Sequence, residues 1–131
     1  MPPSTLAFIG DAVYTLYIRK RIAEATDCIA GTLHVTATKF VNARAQAEAF
    51  DRLCESGALT DEESEIARRA KNAHLHSRAK AATSADYHKA TALEAVLGMT
   101  ELSGDEARVT ELLALCARLG GLDEFLGSKN A

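Results

Sequence analysis

From Leu6 to Ile18 the chain reads LAFIGDAVYTLYI, an apolar run with one full charge, Asp11, near its middle. A surface helix of a globular protein carries one apolar stripe and a polar back. This segment is apolar nearly all round, so it predicts a central helix. A carboxylate inside such a helix has little access to water. Left unpaired, it costs on the order of several kcal/mol or takes up a proton. Asp11 therefore needs a partner. The first basic residues, Arg19 to Arg21, come more than two turns later and supply none locally.

The stretch Ala90 to Met99, ATALEAVLGM, repeats the situation with a lone charge at Glu94. Two core helices thus carry one acid each in an otherwise uncharged face. If they pack together, the acids face each other and repel unless a cation lies between them. A hard divalent cation such as Mg²⁺ accepts carboxylates plus several waters. Gly10 and Gly98 allow backbone, water or substrate to come close. A structural use of each acid stays open: a place at a bundle edge, or a hydrogen bond to a nearby Tyr or Thr. A ferritin-like di-metal bundle would want Glu-x-x-His motifs, and the chain has none.

The remaining pattern is helical. Both prolines precede residue 4, helix formers dominate, and alternating strand patterns are scarce. An all-α fold of about seven helices follows. Its 131 residues, 47% hydrophobic, suit one domain over 1–131 with a weakly ordered tail after about 120. The first helix is expected from Ser4 or Thr5 as N-cap to about Ala23, followed by a turn over Asp27 to Gly31. The next two span Thr32 to Val41 and Ala43 to Glu55. Thr60-Asp-Glu-Glu63 is a capping box and opens a helix from Asp61 to about Ala73. Residues His74 to Ala85 read as a loop, and Asp86 to Leu102 as a helix. Ser103-Gly-Asp-Glu106 reads as a second capping box, for a helix to about Leu119. Gly120-Gly121 breaks it, leaving a last turn over Leu122 to Leu126.

No run of eighteen or more apolar residues occurs, so no membrane-spanning helix is expected. The start, MPPST, lacks the basic-then-apolar order of a secretory signal. Cys28, Cys54 and Cys116 are scattered and odd in number. They read as reduced thiols in a cytoplasmic setting rather than as a disulfide frame or zinc site.

Charge is unevenly spread. Between Arg68 and Lys89 the cations Arg68, Arg69, Lys71, Arg78, Lys80 and Lys89 face one acid, Asp86, in a chain of net charge -3. His74, His76 and His88 lie here too. A basic strip on an acidic protein points to a polyanionic partner, whose phosphates Lys and Arg neutralise. The bland alternative is a solvated helix face and loop, which does not account for the missing acids. The charge pattern does not distinguish RNA from DNA.

The pairing of FIGDAVY around Asp11 with ALEAVLG around Glu94 resembles the ribonuclease III family, which has an LGDA signature in one helix and an FEAL-like segment in another. LHVTATKFVNARAQA (Leu33 to Ala47) and RRAKNA (Arg68 to Ala73) are similar to its short branch, mini-ribonuclease III, which lacks a separate double-stranded-RNA-binding domain. The likeness covers about residues 5 to 119. It implies an all-α endonuclease domain, a homodimer, and Asp11 and Glu94 as catalytic, metal-binding carboxylates for Mg²⁺, with Mn²⁺ as substitute. It implies double-stranded RNA as substrate, cut to 5′-phosphate and 3′-hydroxyl ends. The biology it implies is maturation of the large-subunit (23S) ribosomal RNA precursor in the cytoplasm. The RNA grip falls on Arg68, Arg69, Lys71, Asn72, His74, Arg78 and Lys80, with support from Thr91 and from Tyr87, expected to pack under the loop. Two positions depart from the longer members: Ala7 and Thr91 stand where those carry acids. More of the metal shell would then be water, and a non-catalytic RNA-binding or dimerisation module becomes the alternative.

Overall fold

The structure is a computed structural model and describes residues 1–27, 29–73 and 84–130. Seven helices make up the described residues: α1 (Pro3–Ala25), α2 (Ala30–Thr38), α3 (Ala43–Glu55), α4 (Asp61–Asn72), α5 (Ser84–Leu102), α6 (Glu106–Leu119) and α7 (Leu122–Asn130). The fold is built around α5. Its middle, from Ala92 to Gly98, is buried on almost every side apart from Glu94. Helices α1, α3 and α4 pack around it, while α6 lies against both α3 and α5. The side chains with least access to water are Ile18 and Ile22 of α1, Leu53 of α3, Leu93, Val96 and Leu97 of α5, Leu112 and Cys116 of α6, and Leu122 of α7.

Local chemistry sets the helix ends. Helix α1 starts at Pro3, before the expected Ser4 or Thr5 cap, because proline in the first turn has its φ preset and no N–H left to satisfy. Helix α2 begins and ends earlier than its periodicity suggested. Asn42 accounts for the end: its Nδ2 donates to Thr38 O (2.7 Å) and its Oδ1 accepts from Ala45 N (2.9 Å). One side chain thus closes α2 and caps α3. The Thr60 box forms as expected, with Thr60 N donating to Glu63 Oε1 (2.9 Å) and Glu63 N to Thr60 Oγ1 (3.1 Å).

The second box does not form. Gly104 takes φ +80, which turns Ser103 away from the start of α6. Asp105 caps instead, accepting from Arg108 N at 3.0 Å, while Ser103 Oγ donates to Thr100 O. The last turn is a full helix, α7, with Leu122 and Leu126 in the core. Arg21 fastens α1 to it through Asp123 (2.7 Å). Among the described residues no helix is long and apolar enough to cross a membrane. Cys54 and Cys116 are free thiols, and Cys28 lies outside the described residues.

Candidate active site

The crossing of α1 and α5 is made by missing side chains. A Cβ built on Gly10 would lie 1.7 Å from the carbonyl oxygen of Glu94, and one on Gly98 would lie 1.8 Å from that of Leu6. The two backbones therefore touch where most helix pairs are held apart by side chains. Asp11 follows Gly10, and the Glu94 backbone sits over Gly10, so this contact brings the two acids together. Their carboxyl groups are within hydrogen-bonding reach of each other.

The sequence expectation that Asp11 lacks access to water is wrong. Asp11 is exposed, and Glu94 is the half-buried member. The cause is the outer face of α1, which this chain leaves uncovered: Phe8 is 77% exposed and Leu16 61%. Asp11 sits at the border between that face and the buried stripe of Ala7, Gly10, Tyr14 and Ile18.

Among the described residues Glu94 has no cationic partner. None of the ion pairs among the described residues involves Asp11 or Glu94. Burial, reinforced by the shared hydrogen bond with Asp11, pushes its carboxyl up to about 8. One group opposes this shift. Gln46 of α3, itself 4% exposed, donates from Nε2 to Glu94 Oε2 at 3.0 Å. Tyr14, one turn after Asp11, is buried against the same place. Burial, Cys116 and Glu94 together raise its phenol, which stays protonated.

Thr91 is half-buried one turn before Glu94, and Tyr87, 41% exposed, lies another turn back. The spacing sets Tyr87, Thr91 and Glu94 along one face of α5. The loop under which Tyr87 was expected to pack lies outside the described residues. So do His74, Arg78 and Lys80.

The described parts of the basic strip are the last turns of α4 and the start of α5 up to Lys89. Arg68, Arg69 and Asn72 are exposed and Lys71 is half-buried. Arg68 is held by Glu65 of its own helix, with Nε and NH2 2.8–3.1 Å from the carboxylate. Burial, with Asp51, raises the Cys54 thiol, against which Lys71 and Lys89 act. Lys89 also pairs with Asp51 at 2.9 Å. It precedes Glu94 by five residues, about 7.5 Å along the helix axis.

A sequence model of the Ribonuclease III domain matches residues 4–105, which include both acids and the whole basic strip. The chain belongs to the ribonuclease III family. Its relatives include the Mini-ribonuclease 3 of Symbiobacterium thermophilum, 38% identical over 117 residues, covering 89% of this chain and 88% of that protein. The Mini-ribonuclease 3 of Staphylococcus aureus is 39% identical over 111 residues, covering 85% and 83% respectively. A Fusobacterium nucleatum protein solved by X-ray crystallography superimposes with a TM-score of 0.80 at 29% identity, covering 90% of this chain and 93% of that one.

For a ribonuclease III family member, the donor set fits a hard divalent cation of the Mg²⁺ kind. Two carboxylates with no neutralising side chain among the described residues meet at an exposed edge, where water would complete the coordination of such an ion. Among the described residues no third Asp, Glu, His or Cys joins them, in keeping with Ala7 and Thr91. Sequence reasoning assigned no role to Gln46 or Tyr14. Gln46 could have been read from α3, where it is a polar residue on the same face as Ala49, Phe50 and Leu53. Tyr14 could have been read from its place one turn after Asp11.

Proposed function

We propose that this protein is a divalent-metal-dependent endoribonuclease that cuts double-stranded RNA. Asp11 and Glu94 are its catalytic and metal-holding residues. The observation that carries the reading is the meeting of these two acids at a backbone-tight crossing where no described side chain pairs with them as a cation. A bound Mg²⁺, or Mn²⁺ in its place, supplies Lewis-acid polarisation of the scissile phosphate. The chain's own residues do the rest. Asp11 and Glu94 present oxygen anions that fix where the backbone phosphate is held. Gln46 stabilises the ionised form of Glu94. Lys71, Arg69, Arg68 and Asn72, with His74, Arg78 and Lys80 beyond them, grip phosphates and 2′-hydroxyls of an A-form duplex. The products are 5′-phosphate and 3′-hydroxyl ends.

The exposed Phe8 and Leu16 of α1, with Ile29 and Val35 (77% and 60% exposed), support a homodimer. A two-fold assembly addresses two strands with two sites. The resemblance to mini-ribonuclease III favours a substrate in the large-subunit (23S) ribosomal RNA precursor, met in the cytoplasm. Asp11→Asn is expected to bind duplex RNA and fail to cut it, with EDTA abolishing cleavage by the wild type; normal cutting by Asp11→Asn removes the assignment. A Lys71→Ala, Arg78→Ala, Lys80→Ala triple is expected to weaken binding and flatten its salt dependence.

Ala7 and Thr91 favour a second reading, a non-catalytic RNA-binding or dimerisation module. Binding of duplex RNA with no Mg²⁺-dependent cleavage would support it.

A further inference from the structure

We infer that Gln46 is a positioning residue that fixes how Glu94 meets a divalent cation; this rests on the metal-dependent reading above. A carboxylate is acceptor-only, and its two oxygens are equivalent until a donor distinguishes them. Gln46 Nε2 occupies Glu94 Oε2 at 3.0 Å. Oε1 is left as the oxygen without a donor from α3. Glu94 is thereby biased toward one-oxygen coordination, which suits a small octahedral ion such as Mg²⁺ or Mn²⁺. Ca²⁺ accepts bidentate carboxylates and larger coordination numbers, so it gains less from this arrangement.

The type of residue matters as much as its place. Gln46 is 4% exposed, so its amide arm is gripped by packing between α3 and α5. Being neutral, it steadies Glu94 without cancelling the charge that draws the cation. A lysine there would form an ion pair and compete with the metal, and a glutamate would add repulsion and lose the donor. Partners that orient a metal ligand commonly change metal affinity by about 10–100-fold when removed.

The test uses full-length, RNA-free protein. Gln46→Met keeps the length and apolar bulk of the side chain and deletes the donor. Mn²⁺ titration by calorimetry is expected to show affinity reduced about 10–100-fold relative to wild type, with a smaller reduction for Ca²⁺. Cleavage is expected to recover at high Mn²⁺, with the KM for duplex RNA unchanged. Wild-type Mn²⁺ affinity in a folded Gln46→Met variant overturns the inference and leaves the metal reading standing. Failure of the wild type itself to bind Mn²⁺ overturns the metal reading. If the variant does not fold, the wild type still decides the matter. Its Gln46 side-chain amide resonances are expected to shift on addition of Mg²⁺, and their constancy while Mg²⁺ binds overturns the assignment.

Discussion

Two glutamates, Glu63 and Glu94, lie in the body of this protein and are treated in opposite ways. Glu63 is 5% exposed and completely matched. Arg108 reaches it from α6 with two nitrogens, at 2.9 and 2.6 Å, and the same guanidinium donates to Ala58 O at 2.7 Å. The Thr60 backbone adds a further donor. The Arg108 fork, foremost, holds the Glu63 carboxyl below the usual range. Glu94 faces another acid and a neutral amide, and its carboxyl is pushed up to about 8. One acid is neutralised within the chain and serves the fold. The other holds a proton for want of a cation among the described side chains, and a bound cation would take that proton's place.

Four changes would break or sharpen that contrast. The largest effect is expected at the crossing that creates the acid pair. Gly10→Ala drives a Cβ into the Glu94 carbonyl and is expected to cost about 3 kcal/mol or more, seen as a lowered urea midpoint. Gly31→Ala, where a Cβ meets nothing, is expected to stay within about 1 kcal/mol of wild type.

Next comes the matched glutamate. Arg108→Met leaves Glu63 buried beside no cation and is expected to cost about 3 kcal/mol at pH 7. Most of that loss should return in the Arg108→Met, Glu63→Gln double variant.

The pH dependence of the two acids runs in opposite senses. Glu63 is lowered in the fold, so its stabilisation is present above the unfolded value, about 4.3, and is lost as pH falls through the folded one. Glu94 is raised. Between the unfolded value and about 8 the folded state holds a proton that the unfolded state has released. Stability therefore falls as pH rises through that window. In metal-free buffer at pH 9, Glu94→Gln is expected to be more stable than wild type by about 2 kcal/mol, with the advantage gone at pH 4.

The smallest stability effect belongs to an exposed pair. Arg68→Ala removes the contact with Glu65 and is expected to leave the urea midpoint essentially unchanged, because solvent screens an exposed pair. On the proposed function, its binding of duplex RNA weakens nonetheless, as a filter-binding titration would register.

The sequence made the helices legible where apolar periodicity and caps agreed, as for α3 and for the Thr60 start of α4. It misled where a local signal had a competitor. Ser103 lost its cap because Gly104 turns the chain away and Asp105 lies closer to α6. The nearness of Asp11 and Glu94 was legible from two lone charges in apolar helices, each close to a glycine. The water access of Asp11 was not, because an all-round apolar helix reads as enclosed whether this chain or a second one covers its outer face. The pairings of Gln46 and Arg108 were not legible either. Their partners lie 48 and 45 residues away in sequence, and only the packing of α3 on α5 and of α6 near α4 brings them together.

The most direct measurement is the melting temperature of wild type and Glu94→Gln at pH 9, each with and without Mg²⁺. Wild type is expected to be the less stable of the two without the ion and to rise clearly when it is added, while Glu94→Gln hardly moves. Equal responses of the two proteins to Mg²⁺ would contradict a cation site built on Asp11 and Glu94.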